Sequence, residues 1–200
     1  MQSFEDSPLV RSAGELWKQA TTASFLDAIA NGSLPAEALS RWLVQDYHFA
    51  DALTSFQAIA AAKTPREFRK PLMGGLAALD AEMDWFEAMA KARGLNLKFP
   101  LHPTCRRYRD FLLRVAYTEP YPVLLAVLFG VEASYLAAWS RLPQEGAYGE
   151  LVSRWSSPQF TEYVDSLRAL SENHPHESNQ GCFEEVLLHE REFWKMTWKG

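Results

Sequence analysis

Cysteine is scarce in this chain of 200 residues, which holds only Cys105 and Cys182. They lie far apart and in no metal-ligand spacing, as expected of a protein kept in a reducing cytosol. A surplus of basic charge is also missing. Lys and Arg number 20 against 25 Asp and Glu, a net charge of −5, which argues against nucleic acid as the main partner. The start, Met1-Gln2-Ser3-Phe4-Glu5-Asp6-Ser7-Pro8, has no basic region followed by an apolar one, so no signal peptide is expected and the chain is placed in the cytoplasm. No apolar run reads as long enough to cross a membrane, and no membrane partner is expected. Internal repeats, low-complexity segments and sustained period-two alternation are all lacking, and the last of these excludes a strand-built fold.

Apolar residues are plentiful, at 48% of the chain, and aromatics reach 13%. Residues 1–200 are therefore expected to fold as one domain with a sizeable core. Helical periodicity runs from about Ser12 to Ala30, where Asn31-Gly32 stops it. Pro35 suits the first turn of a second helix that reaches about Lys63. A third spans about Arg66 to Arg93, with Gly74-Gly75 inside it and Gly94 as C-cap. A loop from Leu95 to Pro103 precedes a fourth, starting near Thr104. Pro120 and Pro122 launch an apolar fifth helix that ends before Pro143. Shorter helices follow at about Tyr148 to Trp155 and Pro158 to Ser171, with Ser157 as N-cap of the second. The last carries Phe183, Val186, Leu187, Glu190, Phe193, Trp194 and Trp198. The expected fold is all-α, a bundle of about seven or eight helices.

One device recurs on four of these helices. A carboxylate sits inside the apolar stripe, with an aromatic three residues on: Asp46 with Phe49, Glu82 with Trp85, Glu132 with Tyr135, and Glu190 with Phe193. Three positions leave each aromatic about 60° from its acid, on one face. An ionised carboxylate in apolar surroundings costs several kcal/mol unless it is paired, protonated or working. Most Lys and Arg lie off these stripes. The pattern predicts a central pocket lined by acids and aromatics. Such a pocket suits a flat, nitrogen-rich ligand: aromatic faces stack a ring, and carboxylates accept hydrogen bonds from its amines. Acids with raised pKa values suit proton transfer near neutral pH, so hydrolysis or deamination is the expected chemistry.

Metal chemistry is the competing expectation. Helical bundles can hold two irons, but the usual supply includes Glu-x-x-His pairs. Here Glu185 and His189 are four apart, and His48 neighbours Asp46 off its stripe. A haem would need an axial ligand, and the first histidine comes only after the first helix. No cofactor and no metal site is expected. Cys105 adjoins two arginines but has no base beside it.

Six further stretches belong together: Asn31-Gly32-Ser33-Leu34-Pro35, Gln45-Asp46-Tyr47, Pro103-Thr104 with Tyr108, Glu132 with Tyr135, Trp155-Ser156-Ser157-Pro158-Gln159-Phe160, and Glu190-Arg191-Glu192-Phe193-Trp194-Lys195-Met196 with Trp198. In combination these motifs resemble the TenA/thiaminase II family of thiamin-salvage proteins. The resemblance spans nearly the whole chain and implies a haem-oxygenase-like helical fold without haem. It implies that Asp46 binds an aminopyrimidine ring and that Glu190 is catalytic and reaches the ligand's amino group. It implies that Tyr108 and Phe193 flank the ring and that Tyr135 lies near the reacting centre. In the better-known branch a nucleophilic cysteine stands four residues before that tyrosine; here the position is Val131. That branch's pocket tyrosines are Phe49 and Trp155 here. The chain is similar to a second branch, which carries a glutamate matched by Glu132 and hydrolyses aminomethylpyrimidine or its N-formyl derivative. A homodimer or homotetramer is implied too.

The mechanism expected from this has the ring between Tyr108 and Phe193, read by Asp46 and Glu82, with Glu190 and Glu132 as acid, base or nucleophile. The alternatives are a carboxylate-bridged di-iron oxidase of the same fold and a non-catalytic pyrimidine-binding or regulatory protein.

Overall fold

A computed structural model describes residues 3–199. Among these residues there is no strand. The α-helices are α1 (Pro8–Ala13), α2 (Glu15–Thr21), α3 (Ser24–Ala30), α4 (Ala36–Lys63), α5 (Lys70–Arg93), α6 (Pro103–Thr118), α7 (Tyr121–Ser140), α8 (Gly149–Trp155), α9 (Pro158–Asn173) and α10 (Asn179–Lys199). The all-α expectation is met, and most boundaries fall within a residue or two of it.

The first expected helix is instead three. Gly14 takes φ +50° between α1 and α2, a conformation that L side chains rarely adopt. Thr22 and Ala23 are extended between α2 and α3. The hydroxyls of Thr21 and Thr22 fold back onto the carbonyls of Trp17 and Lys18, which closes α2. Conversely, α5 runs unbroken through Gly74 and Gly75, since packing holds what propensity alone would loosen.

α7 is the axis of the bundle. It packs against α2, α4, α8, α9 and α10, and the buried apolar residues form one continuous core around it. α7 is buried nearly all round; a helix that is hydrophobic on every side belongs in an interior. α7 also corrects the expectation that no apolar run could cross a membrane. Its 20 residues are long and apolar enough by length and composition, with Glu132 their one charged side chain. The bundle itself takes up that apolar surface.

Four helices bring the acids together. α4 supplies Asp46, α5 Glu82, α7 Glu132 and α10 Glu190. α6 brings Tyr108 to the same place.

Candidate active site

A cavity of about 670 Å³ opens beside α7, walled by α4, α5, α7, α8 and α9. Asp46, Glu82 and Glu132 line it together with Phe49, Val131, Tyr135 and Trp155. Its exposed rim carries Lys70, Gly74, Ala78 and Gln159. Such a volume suits a small organic ligand, and the mix of an apolar wall with a few polar groups is usual for one.

Asp46 is 5% exposed and accepts a hydrogen bond of 2.6 Å from the Tyr135 hydroxyl. Burial pushes its carboxyl well above the usual carboxylate range; the Tyr135 bond pulls it back, and the charges of Glu82 and Glu190 push it up again. Glu190 is 3% exposed and accepts a 2.6 Å bond from the Tyr108 hydroxyl. Burial raises it to about 7 against the pull of that phenol. Glu82 is half-buried and accepts a 2.9 Å bond from the Trp155 indole. Burial raises its pKa, while the indole and the Arg154 charge work the other way.

Glu132 differs from these three. It is 8% exposed, and no hydrogen bond to it forms among the described residues. Burial, then the charges of Glu82 and Glu190, raise it to about 8. At neutral pH it is mostly a neutral carboxylic acid, able to donate a proton rather than only accept one.

The aromatic partners divide into two groups. Phe49, Tyr135 and Trp155 line the cavity. Tyr108, Phe193 and Trp85 are not among its lining residues, and neither is Glu190. Phe49 lies between cavity and phenol, its ring 4.6 Å from Tyr108 and 5.9 Å from Phe193. In this structure, then, Tyr108 and Phe193 back the wall instead of facing each other across an open slot. Trp85 packs edge-on against Trp155 at 5.3 Å, with the Arg154 guanidinium 4.7 Å over its ring.

Neither histidine considered above joins the acids. His189 stacks on Tyr108 at 4.9 Å, and His48 faces the Phe99 carbonyl. Among the described residues no three His, Cys, Asp or Glu side chains are grouped to hold a metal ion. Burial pushes the Cys105 thiol up to about 12, and it donates to the Gln45 carbonyl. Such a thiol is a poor nucleophile.

Among the lining residues that escaped the sequence are Lys70, Gly75, Arg154 and Tyr163. Gly75 leaves the notch in which the Gln57 amide and Tyr163 hydroxyl sit, and a Cβ there would collide with both. Gln57, just behind this part of the wall, did carry a signal. It lies on the α4 stripe eleven residues after Asp46, a second polar residue in an apolar row. Nothing comparable marks Tyr163 or Lys70.

Comparison with known proteins gives the same fold. A Glycine max protein described as a "Probable bifunctional TENA-E protein" is 24% identical, over 91% of this chain and 88% of its own. A TenA homologue from Pyrococcus furiosus superposes with a TM-score of 0.89 at 27% identity, over 98% of this chain and 100% of that one. A candidate TenA-like thiaminase from Sulfolobus solfataricus gives 0.81 at 18% identity, over 94% and 93%. A heme-oxygenase-like domain from Shewanella denitrificans gives 0.74 at 12% identity, over 96% and 90%. The fold is thus haem-oxygenase-like. Residues 11–200 match the family model, and the chain belongs to the TENA/THI-4/PQQC family.

Proposed function

We propose that the protein hydrolyses a C–N bond of a thiamin-derived aminopyrimidine, either aminomethylpyrimidine or its N-formyl derivative. The observation that carries this is Glu132: a buried carboxyl with no hydrogen-bond partner among the described residues, beside the cavity and raised to about 8. It occupies the place next to Val131, where the cysteine branch keeps its nucleophile. Family membership, and relatives described as TENA-E and thiaminase-like, support a thiamin-related substrate.

The chemistry follows from unequal acids. Asp46 and Glu82 accept hydrogen bonds from the amino group and protonated nitrogen of the ring. Glu190 stands behind the lining, where its charge still acts on Asp46 and Glu132; held by Tyr108 at about 7, it is partly ionised at neutral pH and takes its proton from a water reaching it from the cavity. Glu132, still protonated, gives its proton to the leaving nitrogen. Water supplies hydroxyl to the methylene carbon as the C–N bond breaks, so aminomethylpyrimidine plus water becomes hydroxymethylpyrimidine plus ammonia. The proton that Glu190 gains and Glu132 loses is returned through solvent. Two acids held apart in pKa by their surroundings are the usual basis of such a division of roles.

The deciding experiment incubates the purified protein with aminomethylpyrimidine and with its N-formyl derivative and follows ammonia, formate and the pyrimidine product. Turnover of either is expected. Tight binding of both without turnover would replace the hydrolase with a capture protein.

A further inference from the structure

Gly75 sits inside α5, where alanine would be the better helix former. It takes no positive φ, so the backbone does not require glycine there. Space does: a Cβ would collide with the Gln57 amide nitrogen and the Tyr163 hydroxyl. Gln57 is fully buried and its amide donates to the Leu72 carbonyl at 2.7 Å. Its carbonyl oxygen and the Tyr163 hydroxyl are both sealed from solvent, with no hydrogen-bond partner among the described residues. A weaker helix and two unpaired buried atoms all cost stability, so stability is not what this notch serves. Tyr163 also lines the cavity. A side chain at position 75 would push its phenol out of the notch, and the cavity is the space beside it. That cavity is long. Glu82, Ala78, Gly75, Gly74, Pro71 and Lys70 all line it from α5. Lys70 and Glu82 are twelve residues apart on one helix, about 18 Å at 1.5 Å per residue. Asp46 and Glu132 stand at the Glu82 end, where the three charges act on one another. Gly75 lies two turns away, and Lys70 brings a cation to the far, exposed rim. An aminopyrimidine with a one-carbon arm covers less than half of that length.

We propose that the site also admits aminopyrimidines whose methylene nitrogen carries an acyl chain longer than formyl and ending in a carboxylate, and that Gly75 is the residue that admits them. The notch withdraws the Tyr163 phenol and leaves the stretch between Glu132 and Lys70 free for the chain. Pro71, Gly74 and Ala78 give the chain an apolar path along α5, and Lys70 meets its carboxylate at the rim. The ring itself stays with the acids, so this inference rests on the aminopyrimidine reading above. When water adds its hydroxyl to the methylene carbon, the nitrogen takes the proton and departs with its acyl chain as a primary amide, in place of ammonia.

Binding is the readout, measured by calorimetry in Glu132→Gln protein, which keeps the neutral shape of that acid and slows hydrolysis. The probes are aminomethylpyrimidine and its N-formyl and N-succinyl derivatives. The succinyl form should bind at least about fivefold more tightly than the formyl form, since two further methylenes leave water; weaker binding overturns the proposal. Gly75→Ala should weaken the succinyl form roughly tenfold, the scale on which overfilling a packed site acts, and aminomethylpyrimidine by less than about twofold. Equal losses on both would make Gly75 a matter of packing alone. Gly74→Leu repeats the test without touching the notch. Position 74 is exposed, and a Cβ there meets nothing within 4 Å, so this variant folds, and it should show the same selective loss; an unselective loss, or none, overturns the path along α5. Lys70→Gln should weaken the succinyl form about threefold, the scale of an exposed ion pair, and the formyl form hardly at all; an equal change in both overturns the carboxylate end. The two readings fail separately. If the parent protein turns over neither pyrimidine while the succinyl form binds in this pattern, the hydrolase reading fails and this one stands. If it turns over aminomethylpyrimidine while the succinyl form does not bind, this one alone fails.

Discussion

Two sides of one acid cluster behave differently. On one, Asp46 and Glu190 each accept a phenol hydrogen bond at 2.6 Å, from Tyr135 and Tyr108. On the other, no donor among the described residues reaches the Glu132 carboxyl. All three are more than nine-tenths buried, so burial does not separate them. Donor and neighbouring charge together do: Glu190, with its phenol, lies at about 7, and Glu132, pushed up by the charges of Glu82 and Glu190, at about 8. Asp46 shows the limit of the device. It stays well above its usual range despite Tyr135, because Glu82 and Glu190 both face it. The fold therefore uses phenols to grade its acids, and leaves one acid bare.

Removing the bare acid should have the largest effect. Glu132→Gln keeps the shape and loses the proton, and kcat on aminomethylpyrimidine should fall by roughly 100- to 10,000-fold, the usual worth of a general acid. Circular dichroism should be unchanged. Parent-level turnover would break the contrast outright.

The same substitution should act on stability in the opposite sense. Folded Glu132 titrates near about 8, whereas an unfolded glutamate titrates near about 4.3. Between those values the folded state binds more protons, so this group's contribution to stability falls as pH rises and is flat outside the window. Glu132→Gln removes that loss. Its melting temperature should exceed the parent's at pH 8 by a few degrees, and the gain should vanish near pH 4. A gain independent of pH would mean that Glu132 is not the group titrating.

The contrast can also be sharpened by making a second bare acid. Tyr108→Phe removes the Glu190 donor, so its pKa should rise from about 7 towards that of Glu132. Less of the base form then exists at pH 7. kcat/KM there should drop about tenfold, with the acid limb moved upward, the scale of one hydrogen bond to a charged group. An unmoved limb would mean that the phenol does not grade these acids.

Much of this was readable from residue order. Four acids in four apolar stripes pointed to one cluster, since a polar residue at a core position needs a reason. The helices α4, α6, α9 and α10 followed from period and caps. The backing positions of Tyr108 and Phe193 were not readable. Period fixes the face on which a ring lies, but not which ring stands in front. Phe49 of α4 takes the front place, lining the cavity with its ring packed on Tyr108 and Phe193. Gly75 and Tyr163 were hidden for a related reason: their meaning is a close approach of α5 and α9, and approach distances leave no mark in a single sequence.

A last comparison sets interior acids against a surface one. Glu185 pairs with Arg114 at 2.9 Å, yet the two side chains are 42% and 51% exposed. Water already solvates both charges, and holding two long side chains together costs entropy. Exposed pairs of this kind contribute about 0–1 kcal/mol. Glu185→Gln should therefore shift the melting temperature by no more than about 2 °C, and even that shift should shrink in 1 M salt, where screening acts within about 3 Å. Turnover should be unaffected, because Glu185 lies outside the cavity. The distance between partners is as good here as at Asp46 or Glu190, so a small effect would show that dry surroundings give the interior bonds their weight. A loss above about 1 kcal/mol, persisting in salt, would show that pairing geometry alone is enough.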